Sequence, residues 1–182
     1  MMRKTLCLAG VALLALALVA CDQRTDKDEG SVILTISDFD GVPIRVSVNQ
    51  QDLLQVGEFT LRNIPKDPDG LTSSLQDIEL RSFEVTYTRA DAGTRTPPPR
   101  VGGIFGNVPV DGEDIIENLD VMGADQFLNP PLSDLLFING GFDSETGSQV
   151  IQLNLNIRFF GRTLAGDDIA SNTASFTVEF VP

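Results

Sequence analysis

Residues 31–182 read as an all-β domain: an antiparallel β-sandwich of seven to nine strands with at most one or two short helical turns. Three observations predict it. Apolar side chains recur at every second position in runs such as "VIQLNLNIRFF", the pattern of a strand with one buried face. These runs are punctuated by "SDFDG", "PKDPDG" and "LAGDD", whose Gly, Pro and Asp residues are turn chemistry. The spacing of an amphipathic helix is nearly missing. About 150 residues divided this way suit two packed sheets, with a jelly roll as the second arrangement. A chain of that length buries roughly 70% of its unfolded surface around one core, so one domain is expected.

The chain starts differently. A basic head (Arg3, Lys4) precedes an apolar run from Thr5 to Ala20, and "CDQRTDKDEG" then turns polar from Asp22. That is the layout of a signal peptide. The run is 16 residues long, short of the roughly 20 that a spanning helix requires, so cleavage is expected in place of a permanent span.

Leu18-Val19-Ala20-Cys21 resembles the lipobox of bacterial lipoproteins, with an aliphatic residue three positions before the cysteine and a small one directly before it. The resemblance implies a signal peptide over 1–20, a diacylglyceryl group on the Cys21 thiol and an N-terminus that begins at Cys21. Each buried methylene contributes about 0.8 kcal/mol, so two or three acyl chains hold where one does so only marginally. Cys7, within the apolar run, reads as a small hydrophobe. Residues 21–30 are then the lipidated cysteine and a polar tether, whose Asp22 to Gly30 segment spans at most about 30 Å. In enterobacterial lipoproteins an Asp directly after the cysteine is associated with inner-membrane retention; inner and outer membrane both stay open here.

The strands follow in order. "SVILTIS" (31–37) is a first strand stopped by "DFDG". "VPIRVSVN" (42–49) is a second, with Ile44, Val46 and Val48 on one face; Pro43 cannot donate to a ladder and places it at an edge or marks its start. A third runs from Leu54 to Ile64. In "IELRSFEVTYTR" (78–89), Ile78 and Leu80 have one parity and Phe83, Val85 and Tyr87 the other. A β-bulge near Arg81 and Ser82 would put both sets on one face. "ADAGTRTPPPR" reads as an exposed loop stiffened by prolines. Between Val101 and Phe137 the pattern is least distinct: "GIFGNVPV" suits a strand, "IIENLDVMG" suits strand or helix, and Pro131 suits the first turn of a short helix with Leu132, Leu135 and Leu136 inward. That turn would cross between the sheets.

At the C-terminal end, Ile151, Leu153, Leu155, Ile157 and Phe159 alternate with Gln152, Asn154, Asn156 and Arg158, and Phe176, Val178 and Phe180 return after a Gly-containing turn. This hairpin resembles the last two strands of immunoglobulin-like domains in bacterial surface proteins. The resemblance implies an Ig-like sandwich, here without the Cys pair and Trp of antibody domains.

Charge and absences narrow the chemistry. The net charge is −13, and all of it falls after residue 30, because residues 1–30 hold four basic and four acidic side chains. Such a surface repels phosphate backbones, so no nucleic-acid partner is expected. The sequence has no histidine, no tryptophan and no cysteine after Cys21. Nucleophile systems with a His base, His or Cys zinc sites and redox disulfides therefore lack their parts.

What remains is carboxylate chemistry. The pairs Asp38/Asp40, Asp67/Asp69 and Asp167/Asp168 suggest calcium loops, yet Leu71 stands where an EF-hand-type loop after Asp67 needs an oxygen ligand, and Asp-Gly is ordinary turn chemistry. A glycosidase needs only two carboxylates, but no pair is singled out, and "DGEDIIE" (111–117) reads as a solvated acidic stretch. The expectation is a non-catalytic envelope lipoprotein with no metal or cofactor. It is anchored on the non-cytoplasmic side of a membrane through Cys21, with a structural or protein-binding sandwich. The rival is a calcium-dependent adhesive or carbohydrate-binding module, and a carboxylate hydrolase comes third.

Overall fold

A computed structural model describes residues 30–50 and 52–182; Cys21 and the tether before Gly30 lie outside the described residues. Among these, nine strands form two sheets. Strands β1 (Val32–Asp40), β3 (Leu54–Pro65) and β6 (Glu113–Met122) make a sheet in the order β1-β3-β6. The second sheet is β2-β9-β7-β4-β5, from β2 (Arg45–Ser47), β4 (Ile78–Arg89), β5 (Arg100–Val108), β7 (Ile151–Thr163) and β9 (Ala174–Val181), with the short β8 (Asp168–Ala170) also on β7. All ladders are antiparallel except β2 on β9, which is parallel.

The connectivity is that of an immunoglobulin-like sandwich. Lettered in chain order, β1, β3 and β6 take the places of strands A, B and E, and β4, β5, β7 and β9 those of C, C′, F and G. The place of strand D, between C′ and E, is taken by the turn Pro109–Gly112 alone, in which the Gly112 N–H donates to Pro109 O at 3.0 Å and Asp111 adopts φ 55°.

The alternation read from sequence is what closes the core. Ile151, Leu153, Leu155, Ile157 and Phe159 of β7 are fully buried, and they face Val56, Phe59 and Leu61 of the other sheet within one apolar cluster. Phe59 and Phe159 meet edge to face at 5.5 Å, a favourable aromatic geometry. The bulge expected in β4 is present: the register against both β5 and β7 shifts between Leu80 and Ser82. Ile78, Leu80, Phe83, Val85 and Tyr87 are consequently all buried.

Three local expectations are corrected. β1 does not stop at "DFDG"; after a register shift between Ile36 and Asp38 it continues to Asp40, paired with Thr60, Phe59 and Glu58. The long β3 supplies a ladder there, and backbone pairing outweighs the poor strand propensity of Asp. β2 is only Arg45–Ser47, and Ile44 is 79% exposed while Val46 and Val48 are buried. Among the described residues the helical turns number four: the α-helical turn α1 (Ala124–Phe127) and 3₁₀ turns at Ser74–Gln76, Leu132–Leu135 and Phe137–Asn139. The turn at Leu132–Leu135 follows Pro131, carries Leu132 and Leu135 into the core and lies in the crossing between the sheets, as the sequence predicts.

Candidate functional site

The sandwich has two unlike ends. Gly30 and the start of β1 lie at the end that also holds the β7–β8 turn, where a Cβ on Gly30 would meet Ile169. The β4–β5 loop (90–99) and the long β6–β7 connection (123–150) lie at the other end. β1 runs antiparallel to β3, and β3 to β6, so the chain enters at one end and its longest irregular segments gather at the opposite one.

Those segments are held by ion pairs. Arg89, at the end of β4 and 3% exposed, grips Asp91 with two donors at 2.6 and 2.9 Å and donates to the fully buried Asp143 at 2.9 Å. Arg95 donates to Asp134 at 2.6 Å, Asp143 at 3.2 Å and Ser144 at 2.7 Å. Glu145 accepts from the Thr94 N–H and hydroxyl at 2.9 and 2.6 Å. The loop read as exposed is therefore anchored, with Pro97 buried.

Burial pushes the Asp143 carboxyl up, but donors from Arg89, Thr146 and the Glu145 N–H outweigh it and hold the group down at about 2. Asp91 and Asp134 are likewise raised by burial and lowered further by their Arg and backbone donors. Carboxylates held this way stay ionised and paired, the reverse of what a general acid needs. The cluster fixes geometry. It was not legible in the sequence, because its members come from three segments, 89–95, 134 and 143–145, and the Arg–Asp pairs between the first and the other two are 39 to 54 residues apart; the only local signal was Arg89-Ala90-Asp91.

The acid-glycine turns do local work. Asp38 accepts from the Phe39 N–H at 2.9 Å, Asp40 from Gly41 at 2.6 Å and Asp67 from Asp69 at 3.2 Å. The Asp167 N–H donates to Thr163 Oγ1 at 2.9 Å, and Asp168 lies 3.5 Å from Arg162. The pairs sit apart: Asp38 and Asp40 on β1, Asp67 and Asp69 between β3 and β4, and Asp167 and Asp168 where the β7–β8 turn enters β8. Among the described residues no group of three or more Asp or Glu side chains is arranged to hold a metal ion.

One further feature is a groove of about 490 Å³ between β5 and β6. These strands share one tight turn but belong to different sheets, so they splay from Pro109–Gly112. Asp114 closes one end, its Oδ2 within 2.7 Å of where a Gly106 Cβ would stand. Arg100 closes the other by donating to Asp120 O at 2.8 Å. The floor is Phe83, whose ring lies where a Cβ on Gly102 would stand. At the rim, Phe105 is 95% exposed.

No family model and no curated protein matches the chain. Among solved structures, the solution structure of a candidate late embryogenesis abundant (LEA) protein is similar, at 14% identity and a TM-score of 0.44, covering 98% of this chain and 86% of that one.

Proposed function

We infer that this chain is a bacterial envelope lipoprotein, attached through Cys21 to the non-cytoplasmic face of a membrane, whose β-sandwich is non-catalytic and serves a structural or protein-binding role. The observation that carries it is the lipobox-like Leu18–Cys21 followed by a polar segment that leads into the sandwich at Gly30. Two features of the fold support it. Gly30 lies at the end opposite the β4–β5 loop and the β6–β7 connection, so a tether there presents those segments away from the bilayer. Arg89, Arg95 and their carboxylates hold that far end rigid, which lowers the entropy cost of a contact made on it. Phe137 and Ile138, 72% and 89% exposed, stand on the same end.

Replacement of Cys21 by Ala tests the anchor. The wild-type chain is expected in the membrane fraction, released only by detergent, and C21A in the soluble fraction. A C21A chain that stays with the membrane would overturn the reading.

A further inference from the structure

Apart from the three-residue β8, four strand edges bound the two sheets among the described residues, and three of them are guarded against a further strand. The β1 edge carries Asp38 and Asp40, breaks register at Ile36, and is capped by Asn172, whose Oδ1 accepts from the Ile36 N–H at 2.7 Å. The β6 edge carries Glu113, Asp114, Glu117 and Asp120, and is interrupted by Asn118 at φ 53°. The β2 edge is three residues long. β5 is different. Among the described residues it pairs with β4 alone, and its nine residues RVGGIFGNV contain no acid, lysine or proline. Charge, proline, shortness and bulges are the usual means of protecting an edge; β5 has Arg100 at its first position and one register shift against β4, between Gly103 and Gly106, and otherwise none of the charges, prolines or shortness that the other edges combine.

The sequence of this edge is also complementary to itself. In an antiparallel pairing centred on Gly103, Val101 faces Phe105 of the second copy, Gly102 faces Ile104, and Arg100 faces Gly106. Val101, Gly103 and Phe105 share the solvent face, Val101 and Phe105 being 70% and 95% exposed, so each Val101–Phe105 contact is an aromatic and β-branched cross-strand pair. Gly102, Ile104 and Gly106 share the inner face, where each large side chain meets a glycine. Pro99, preceding the strand, has no N–H and ends the ladder.

We propose that two copies of this chain pair through β5, antiparallel about a two-fold axis at Gly103, to join their larger sheets into one. The contact is isologous and closed, so it makes a dimer and no fibre. It stands apart from the anchor reading and holds whether or not Cys21 is lipidated. The rest of the surface opposes association, because each copy carries a net charge of −13; salt screens that repulsion, so the pair tightens as ionic strength rises.

The test is disulfide capture in the full chain with Cys7 and Cys21 replaced by Ser, in non-ionic detergent. A Cβ at Gly103 meets nothing within 4 Å, so G103C is accommodated, and directly opposed strand residues have Cα atoms about 4.5 or 5.5 Å apart, within disulfide reach. G103C is expected to form covalent dimer at least ten-fold faster than T177C, an exposed position on β9 of the same sheet. The rate should rise from 0.05 to about 0.5 M NaCl and fall to the control rate when F105D is added. Capture of G103C no faster than T177C, or unaffected by F105D, overturns the proposal.

Discussion

The end of the sandwich opposite Gly30 and the β3–β6 face hold the same side chains under opposite terms. At that end, Asp91, Asp134, Asp143 and Glu145 surround Arg89 and Arg95, and every acid has a donor within 3.2 Å. On the β1-β3-β6 sheet, Asp40, Glu58 and Glu117 stand in register on neighbouring strands, with no cation among them. The first arrangement fixes irregular backbone that has little apolar area of its own. The second is a row of like charges directly opposite one another, which destabilises a sheet. An acidic composition therefore says little about stability until the partners of each carboxylate are known.

The largest break in this comparison comes from Asp143. Replacing it by Ala removes a fully buried partner and leaves Arg89, 3% exposed, with less than its full countercharge. Losing one side of a buried pair typically costs about 3 to 5 kcal/mol. D143A is expected to lower the urea midpoint accordingly; a change below about 1 kcal/mol would mean that the cluster does not hold the two segments together.

Acid titrates the same contact. The Asp143 carboxyl sits at about 2 in the folded chain, below the roughly 3.9 of an unfolded Asp, so its contribution is complete above about pH 4 and is lost as pH falls through about 2. The shift corresponds to about 2 to 3 kcal/mol. Asp91, Asp134 and Glu145 are lowered as well, so the wild-type chain loses more than one group's share in that window. The stability difference between wild type and D143N isolates Asp143: it should be flat from pH 7 to about 5 and shrink between about 4 and 2. A difference that stays constant to pH 2 would assign the effect to packing.

What the sequence made legible follows the same division. Strand positions and the β4 bulge were readable because period-2 burial leaves a mark at each residue: Leu80 and Phe83 differ in parity, and only an extra residue between them buries both. The end of β1 was not, because Asp38 and Asp40 are strand only through their partners on β3. The Arg89 cluster and the open β5 edge were hidden for a related reason. Which carboxylate meets which guanidinium, and which strand is left unpaired, are properties of the sheet order, and no local pattern encodes them.

Glu117 gives the smallest effect and the most direct comparison with Asp143. It is exposed and directly opposite Glu58, which in turn faces Asp40. A lysine there replaces one repulsion with a cross-strand attraction worth about 0.2 to 1 kcal/mol, and it disturbs no hydrogen bond of the Glu117 side chain shown among the described residues. E117K is expected to be more stable than wild type by about 0.5 to 1 kcal/mol in low salt. Because the groups are in water, the gain should fade in about 1 M NaCl, where the screening length is about 3 Å. The buried Asp143 pair should be far less sensitive to the same salt, so urea titrations of E117K and D143N at two ionic strengths separate the two kinds of carboxylate. A gain that survives high salt would instead come from the lysine's methylenes packing along β3, and the acidic row would then not be the source of the strain.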